Sequence, residues 1–238
     1  MYYYRFLPSI QAMTFDLDDT LYDNVPVIRR LENKMLDWMH LNHPISALRP
    51  DEWWKQLKAS LAQSSPELVH DVTQWRYENV MQGLILLGYA AHDARNAAED
   101  AINEMFYWRN QIDVPEETHQ VLTLLSRKIP LVAITNGNVD PEKIGLGHYF
   151  QRILKAGPDG FSKPYPDLFV KAQRDLGLPS SHILHVGDHL RTDVYGAKMN
   201  GFGACWLNDR RKNMRTAHAA MLLPDLEIHQ LQSLLHLL

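Results

Sequence analysis

Five short β-type runs alternate with helical or loop sequence along this chain, and no other feature restricts its fold as strongly. The runs are Gln11 to Phe15, Pro130 to Thr135, Arg152 to Ala156, His182 to Val186 and Gly203 to Leu207. Strands separated by helices make βα units, which close a parallel sheet. Leu131-Val132-Ala133-Ile134 and Ile183-Leu184-His185-Val186 are almost continuously apolar, as strands covered on both faces must be. Glu116 to Arg127, Asp167 to Leu176 and Thr192 to Met199 read as the connecting helices, with Gly177 and Gly201 as stop signals just beyond two of them. The expected class is α/β, with a Rossmann-like open parallel sheet.

More than a hundred residues separate the first two strands, far beyond the needs of one crossover helix. From Val25 to Asn110 the periodicity is helical. Ile28, Leu31, Met35 and Met39 fall on one stripe, and Ala94, Ala98, Ala101, Met105 and Trp108 on another. Pro50, Pro66 and Gly88 punctuate the segment, and Ser65-Pro66-Glu67 has the form of an N-cap, a proline at the first helical position and an acidic first turn. The spacing predicts an inserted bundle of four helices over residues 23–111, with the sheet domain assembled from 1–22 and 112–238.

Composition narrows the function. A net charge of −4 and a pI near 6.3 give no basic stripe for nucleic acid, and Arg210-Arg211-Lys212 reads as a solvated loop after a strand. A lone cysteine, Cys205, excludes an intramolecular disulfide and a multi-cysteine zinc site. No His-Glu-x-x-His pattern occurs among the twelve histidines, which are expected to be structural or superficial. No signal peptide or membrane span is evident, so the expectation is a soluble, cytoplasmic protein, monomeric or weakly dimeric.

The chemistry concentrates at strand ends. Asp16 and Asp18 stand two residues apart where the first strand stops, so they leave it on the same face. Two close carboxylates repel and invite a cation; one could attack a substrate while the other handles protons. Thr135-Asn136-Gly137 puts a hydroxyl and an amide-rich turn after the second strand, suited to phosphate oxygens. Lys163 supplies a fixed positive charge from a loop. Asp188 follows the fourth strand, with Asp193 in the next turn. In an open parallel sheet all of these gather at the carboxyl edge. Taken singly, Lys163 could be a surface lysine, Thr135 an ordinary strand end, Asp188 a helix N-cap and Asp193 a first-turn acid.

Together, and in this order, Asp16-Leu17-Asp18-Asp19-Thr20, Thr135-Asn136, Lys163 and Gly187-Asp188 with Asp193 resemble the four motifs of the haloacid dehalogenase superfamily, in its phosphatase branch. The resemblance covers Gln11 to Asp23 and Val114 to Leu207, and the helical insert is similar in position and length to that family's type 1 cap. It implies that Asp16 is the nucleophile and that Asp18 is general acid, then base. It implies Mg²⁺ held by Asp16, the backbone carbonyl of Asp18 and Asp188, with Asp193 orienting rather than ligating. Thr135, the Asn136 amide and Lys163 would neutralise the phosphoryl group, and Thr20 would orient Asp18.

The second acid, Asp18, argues against a dehalogenase, and the want of membrane helices against a transport ATPase. A sugar phosphatase or phosphomutase and a non-catalytic phosphate-binding module stay open. A small-molecule phosphomonoester is the expected partner. Asn24 lies where the family places a mobile flap and is a candidate for touching substrate. Trp53, Trp54, Trp75, Tyr77, Tyr107 and Trp108 could stack on a heterocycle with Arg76 at its edge, although gluing the bundle is the better reading for each. The whole run of the chain, notably its aromatic start and Trp-rich cap, is similar to bacterial phosphatases acting on 5-amino-6-(5-phospho-D-ribitylamino)uracil in riboflavin synthesis and on flavin mononucleotide.

Overall fold

The computed structural model describes residues 1–210, 212–213, 217 and 219–238, so Arg211 of the basic cluster lies outside the described residues. The chain divides into two compact units, Met1–Asp23 with Asp113–Leu238, and Asn24–Ile112.

The first unit is built on a sheet. Among the described residues its strands are β1 (Tyr2–Tyr3), β2 (Ala12–Phe15), β3 (Leu131–Thr135), β4 (Arg152–Lys155), β5 (Ile183–Gly187), β6 (Gly203–Leu207) and β7 (Leu226–Ile228). Their order is β1-β7-β6-β5-β2-β3-β4, all parallel except β1 on β7. β2, β3, β5 and β6 are buried along their whole length, as the apolar runs require. One face is packed by Phe169, Phe202 and Trp206 with Val132, Ile134, Ile183 and Ala204. Each large side chain buried this fully contributes about 1.5–3 kcal/mol. The connecting helices are α5 (Glu116–Ser126) and α6 (Asp167–Leu176), the latter closed by Gly177 in the left-handed conformation at φ 64°. The predicted helix from Thr192 to Met199 differs in kind: a π-helical turn over Leu190–Tyr195 runs into a single α-turn, α7 (Gly196–Met199). Such a widening of the helical turn is frequent at functional sites, and here it brings Asp193 back beneath the end of β5.

The second unit holds α1 (Val25–Asn42), α2 (Asp51–Ser64), α3 (Val72–Leu86) and α4 (Ala91–Arg109), with short 3₁₀ turns at Pro44–Leu48 and Pro66–His70. Its core joins Leu31, Met35 and Met39 to Val80 and Leu84 and to the alanine stripe Ala94, Ala97, Ala98 and Ala101. The alanines let α4 approach its neighbours closely. Two expectations need correction. The first stripe begins at Val27, which is buried, whereas Ile28 is exposed. The Ser65 side chain caps nothing and opens only the short 3₁₀ turn; the next long helix, α3, is capped by Asp71, whose carboxylate accepts from Thr73 and Gln74 backbone N–H groups.

The aromatics of the second unit are largely occupied with each other and with the bundle. Trp54, Tyr77 and Trp108 pack on its core, Trp53 meets Trp54 edge-on, and Lys58 lies over Trp75 at 4.5 Å. Gly83 is required where α3 passes Trp54, because any Cβ there would occupy the indole's place. Arg76 is paired with Glu32.

Candidate active site

β5, β2 and β3 are neighbours in the sheet, so the residues that follow their last positions converge without help from any long loop. Asp16 leaves β2 with its N–H donating to the Val186 carbonyl of β5 at 2.9 Å, which carries the sheet ladder one residue past the strand. Its carboxylate is held on both oxygens, Oδ1 by Lys163 Nζ at 2.6 Å and Oδ2 by the Thr20 hydroxyl at 3.2 Å.

Lys163 is 2 % exposed. Its ammonium donates to Asp16 at 2.6 Å, to Asp193 Oδ1 at 2.8 Å and to the Ile134 carbonyl at 2.7 Å. The loop that carries it is fixed by Asn136: the Lys163 N–H donates to Asn136 Oδ1 at 2.7 Å, and Asn136 Nδ2 donates to the Lys163 carbonyl at 2.9 Å. The Asn136 side chain is therefore a clamp on Lys163. Thr135, fully buried at the end of β3, accepts the Gly137 N–H at 2.9 Å and so shapes the turn that follows.

Asp193 sits at the bottom of the site. Besides Lys163 it receives His185 Nε2 at 3.4 Å and the His189 N–H at 2.9 Å. His185 is itself fixed from the other side by the Thr14 hydroxyl at 2.8 Å and stacks edge-on with Phe169. Burial holds its imidazole below the usual histidine range, so the ring is neutral, with Nε2–H donating to Asp193 and Nδ1 accepting from Thr14. Gly187 leaves the space that Asp193 needs, since a Cβ at 187 would fall inside that carboxylate. Asp188 is not a helix cap; the cap position belongs to His189.

Asp16, Asp188 and Asp193 each bring a carboxylate oxygen to within 4.8 Å of the others. Burial, then Asp193, push the Asp188 carboxyl up to about 7. Asp16 is driven to about 8 by burial, with Asp193 and Asp18 adding to the effect against the opposing pull of Lys163. Burial also opposes charge on Asp193, but Lys163 and His185 overcome it and hold that carboxyl well below the usual range. Two acids thus share one lysine yet differ, because Asp193 also receives His185 and a backbone N–H, while among the described residues the Asp16 carboxylate accepts from Thr20 beside Lys163. Burial disfavours the Lys163 charge, but Asp16 and Asp193 outweigh it and keep the ammonium above the ordinary lysine value. A group in which two acids resist ionisation for want of positive charge fits a divalent cation, which would neutralise Asp16 and Asp188.

A pH dependence follows. In metal-free protein Asp16 and Asp188 keep protons up to about 8 and about 7, while the same groups in the unfolded chain lose theirs near the ordinary carboxyl value of 3.8. The native state then binds more protons across that window, so stability is highest below the unfolded pKa and falls as pH rises through the folded ones. Thermal unfolding in chelator should show a Tm declining from about pH 5 to about pH 8. Added Mg²⁺ should raise Tm more at the upper end, since binding there displaces fewer protons; a Mg²⁺ effect larger at low pH would contradict the acid cluster as the cation site.

Three corrections concern motif I and its surroundings. Thr20 holds Asp16 and not Asp18. Asp18 is held by Tyr22, whose hydroxyl donates to Oδ1 at 2.6 Å, a residue that sequence reasoning passed over because Leu21-Tyr22 reads as apolar continuation. Arg210 does not stand free in solvent: it pairs with Asp19 at 3.4 Å and Asp23 at 3.7 Å across the mouth of the motif I turn. Asp19 there adopts φ 58°, a left-handed conformation that aspartate tolerates better than most residues. Asn24 lies at the head of α1, in the second unit, and makes no side-chain cap bond.

A family model described as haloacid dehalogenase-like hydrolase matches residues 10–201, which contain every residue of this cluster. The chain belongs to the haloacid dehalogenase-like hydrolases. Across all 238 residues, and the whole of the relative, it is 44% identical to the 5-amino-6-(5-phospho-D-ribitylamino)uracil phosphatase YigB of Escherichia coli. A phosphoglycolate phosphatase of Neisseria gonorrhoeae is 30% identical, over 82% of this chain and 78% of its own. Among solved structures, a 2-haloacid dehalogenase from Pseudomonas syringae pv. Tomato superposes with a TM-score of 0.90 at 33% identity, over 96% of this chain and 97% of that one. This family member is a phosphatase, in line with the full-length relative and with the α/β core. Among the described residues, no helix is long and apolar enough to cross a membrane.

Proposed function

We propose that the chain is a Mg²⁺-dependent phosphomonoester hydrolase that works through an aspartyl-phosphate on Asp16, and that its substrates are 5-amino-6-(5-phospho-D-ribitylamino)uracil and flavin mononucleotide. The observation that carries the reading is Asp16 itself, a buried carboxylate fixed on both oxygens at a strand end, facing Lys163 and Asp188. The carboxylates of Asp16 and Asp188 and the backbone carbonyl of Asp18 are the residues that would hold Mg²⁺, which when bound supplies positive charge to the phosphoryl oxygens and to the two acids.

In this reading Asp16 attacks phosphorus while Asp18 gives a proton to the departing alkoxide oxygen. Asp18 then takes a proton from the water that attacks the same phosphorus, the Asp16–phosphorus bond breaks, and inorganic phosphate leaves. Lys163 and the turn after Thr135 offset the negative charge of the transferring group, with Asn136 keeping Lys163 in place. Asp193, which accepts from Lys163, His185 and the His189 N–H, is assigned to orienting Lys163 rather than to ligating the metal. Asn24 is assigned to substrate contact.

The ribitylaminouracil phosphate is assigned on the full-length identity to the E. coli relative, and flavin mononucleotide on the resemblance carried by the aromatic start and Trp-rich insert of the sequence alone. The test of both is a phosphate-release screen over a metabolite panel that includes the two named compounds, with and without Mg²⁺. The expected result is Mg²⁺-dependent release, ranking the ribitylaminouracil phosphate and flavin mononucleotide above simple sugar phosphates. Sugar phosphates at the top would favour the sugar-phosphatase alternative, isomerised product with little free phosphate a mutase, and tight phosphate binding without turnover a regulatory module. The likeness to a dehalogenase favours a second chemistry on the same nucleophile, and halide release from 2-chloropropionate tests it directly; Asp18 predicts none.

A further inference from the structure

Tyr22 stands outside every motif named above, yet its hydroxyl reaches the acid–base residue, Asp18. Tyr22 is 4 % exposed, and its hydroxyl donates to Asp18 Oδ1 at 2.6 Å. The backbone is arranged to make this contact. The Thr20 and Leu21 N–H groups return to the Leu17 carbonyl at 3.3 and 2.9 Å, Asp19 takes its left-handed turn, and Tyr22 comes to lie alongside Asp18 in a single bridge. The fully buried Thr118 of α5 then donates to the Leu21 carbonyl at 2.8 Å and anchors the turn to the sheet domain.

We infer that Tyr22 is a positioning residue of the acid–base step, fixing the Asp18 carboxylate through its hydroxyl as Lys163 and Thr20 fix Asp16. The inference rests on the phosphatase reading and goes beyond it. Asp18 follows a strand end and starts a turn, and the Tyr22 hydroxyl on Oδ1 restricts how its side chain can turn relative to the leaving oxygen and the attacking water. The two chemical steps need it differently. In the first, the Asp16 oxygen–phosphorus bond forms, the bond from phosphorus to the leaving oxygen breaks, and the Asp18 proton goes to that oxygen. In the second, water adds to phosphorus, its proton goes to Asp18, and the Asp16–phosphorus bond breaks. An alkoxide must be protonated as it leaves, whereas p-nitrophenolate, whose conjugate acid has a pKa of about 7, leaves unaided. Water attack needs Asp18 whichever group has left.

The test is Tyr22→Phe, read with p-nitrophenyl phosphate and with an alkyl phosphate such as glycerol 3-phosphate, in Mg²⁺. The expected result is a kcat on the alkyl ester lowered about 10- to 100-fold with KM within about 2-fold. On the aryl ester, the first release of nitrophenolate should stay within about 3-fold of wild type while steady turnover falls about 10-fold, so that a stoichiometric burst appears and phosphoenzyme accumulates. In an Asp18→Asn background the same substitution should change nothing further. Tyr22→Leu serves for the same readings where Tyr22→Phe does not fold. Loss by one common factor on both esters, or a full extra loss in the Asp18→Asn background, would overturn the inference and leave Tyr22 as packing. Wild-type protein that releases phosphate from neither ester would overturn the phosphatase reading itself, and the inference with it.

Discussion

Asp16→Asn is expected to abolish phosphate release, with kcat down on the order of 10⁴- to 10⁶-fold, and at the same time to leave the metal-free protein as stable as wild type or more so. The activity loss follows from removing the only group proposed to bond to phosphorus. The stability gain follows from charge. Asp16 is buried and its carboxyl is pushed up to about 8, so the folded state resists its ionisation. An amide of the same shape still accepts from Lys163 through its oxygen, its NH₂ can donate to the Thr20 hydroxyl, and it leaves Lys163 paired with Asp193 at 2.8 Å as a one-to-one ion pair. A purified variant with unchanged or raised Tm and no turnover is the predicted outcome. A variant that keeps full activity would refute the nucleophile, and one that loses several degrees in chelator would refute the electrostatic account of the site.

Lys163→Met is expected to have the largest effect on stability. Removing the ammonium leaves Asp16 and Asp193 buried and facing each other, and takes the donor from the Ile134 carbonyl. Breaking a buried pair in this way costs about 3–5 kcal/mol, which for a chain of this size corresponds to a fall in Tm of about 10 °C. The methionine stem fills the same space, so the loss is electrostatic and should shrink on lowering the pH, where the carboxyls take up protons. Saturating Mg²⁺ should recover part of it as well, by supplying positive charge to the same acids. Turnover should stay lost under both conditions, because the lysine charge that offsets the phosphoryl group is gone. A variant with wild-type Tm in chelator at about pH 8 would show that the lysine is not the counter-charge of this cluster.

Much of the sheet domain was legible in the sequence because buried parallel strands must be apolar on both faces, and four such runs, with Arg152–Lys155 at the edge, stand where they were expected. β1 and β7 were not legible. Tyr2–Tyr3 and Leu226–Ile228 are two and three residues long, too short for a period, and they pair with each other across the length of the chain. The start of the first cap stripe moved from Ile28 to Val27, one residue being about 100° on a helix, which is the limit of what a periodicity can resolve. The residues of the site were visible through their types and order, since Asp16 and Asp188 follow strand ends and Lys163 stands in a loop between them in sequence. Their partners were hidden. That Thr20 turns to Asp16 and Tyr22 to Asp18 depends on the left-handed Asp19 within the turn, and that His185 supports Asp193 depends on a π-helical turn eight residues on. Hydrogen bonds of this kind are set by local backbone path, and a string of residue types does not specify that path.

The central claim is that phosphate passes through Asp16. Acid-quenching the enzyme during turnover, followed by proteolysis and mass measurement, tests it most directly. The account predicts an increment of about 80 Da, that of one phosphoryl group, on the peptide bearing Asp16, absent in Asp16→Asn and enriched in Asp18→Asn with an aryl substrate. Steady phosphate release with no increment on that peptide, or an increment on another residue, would contradict it.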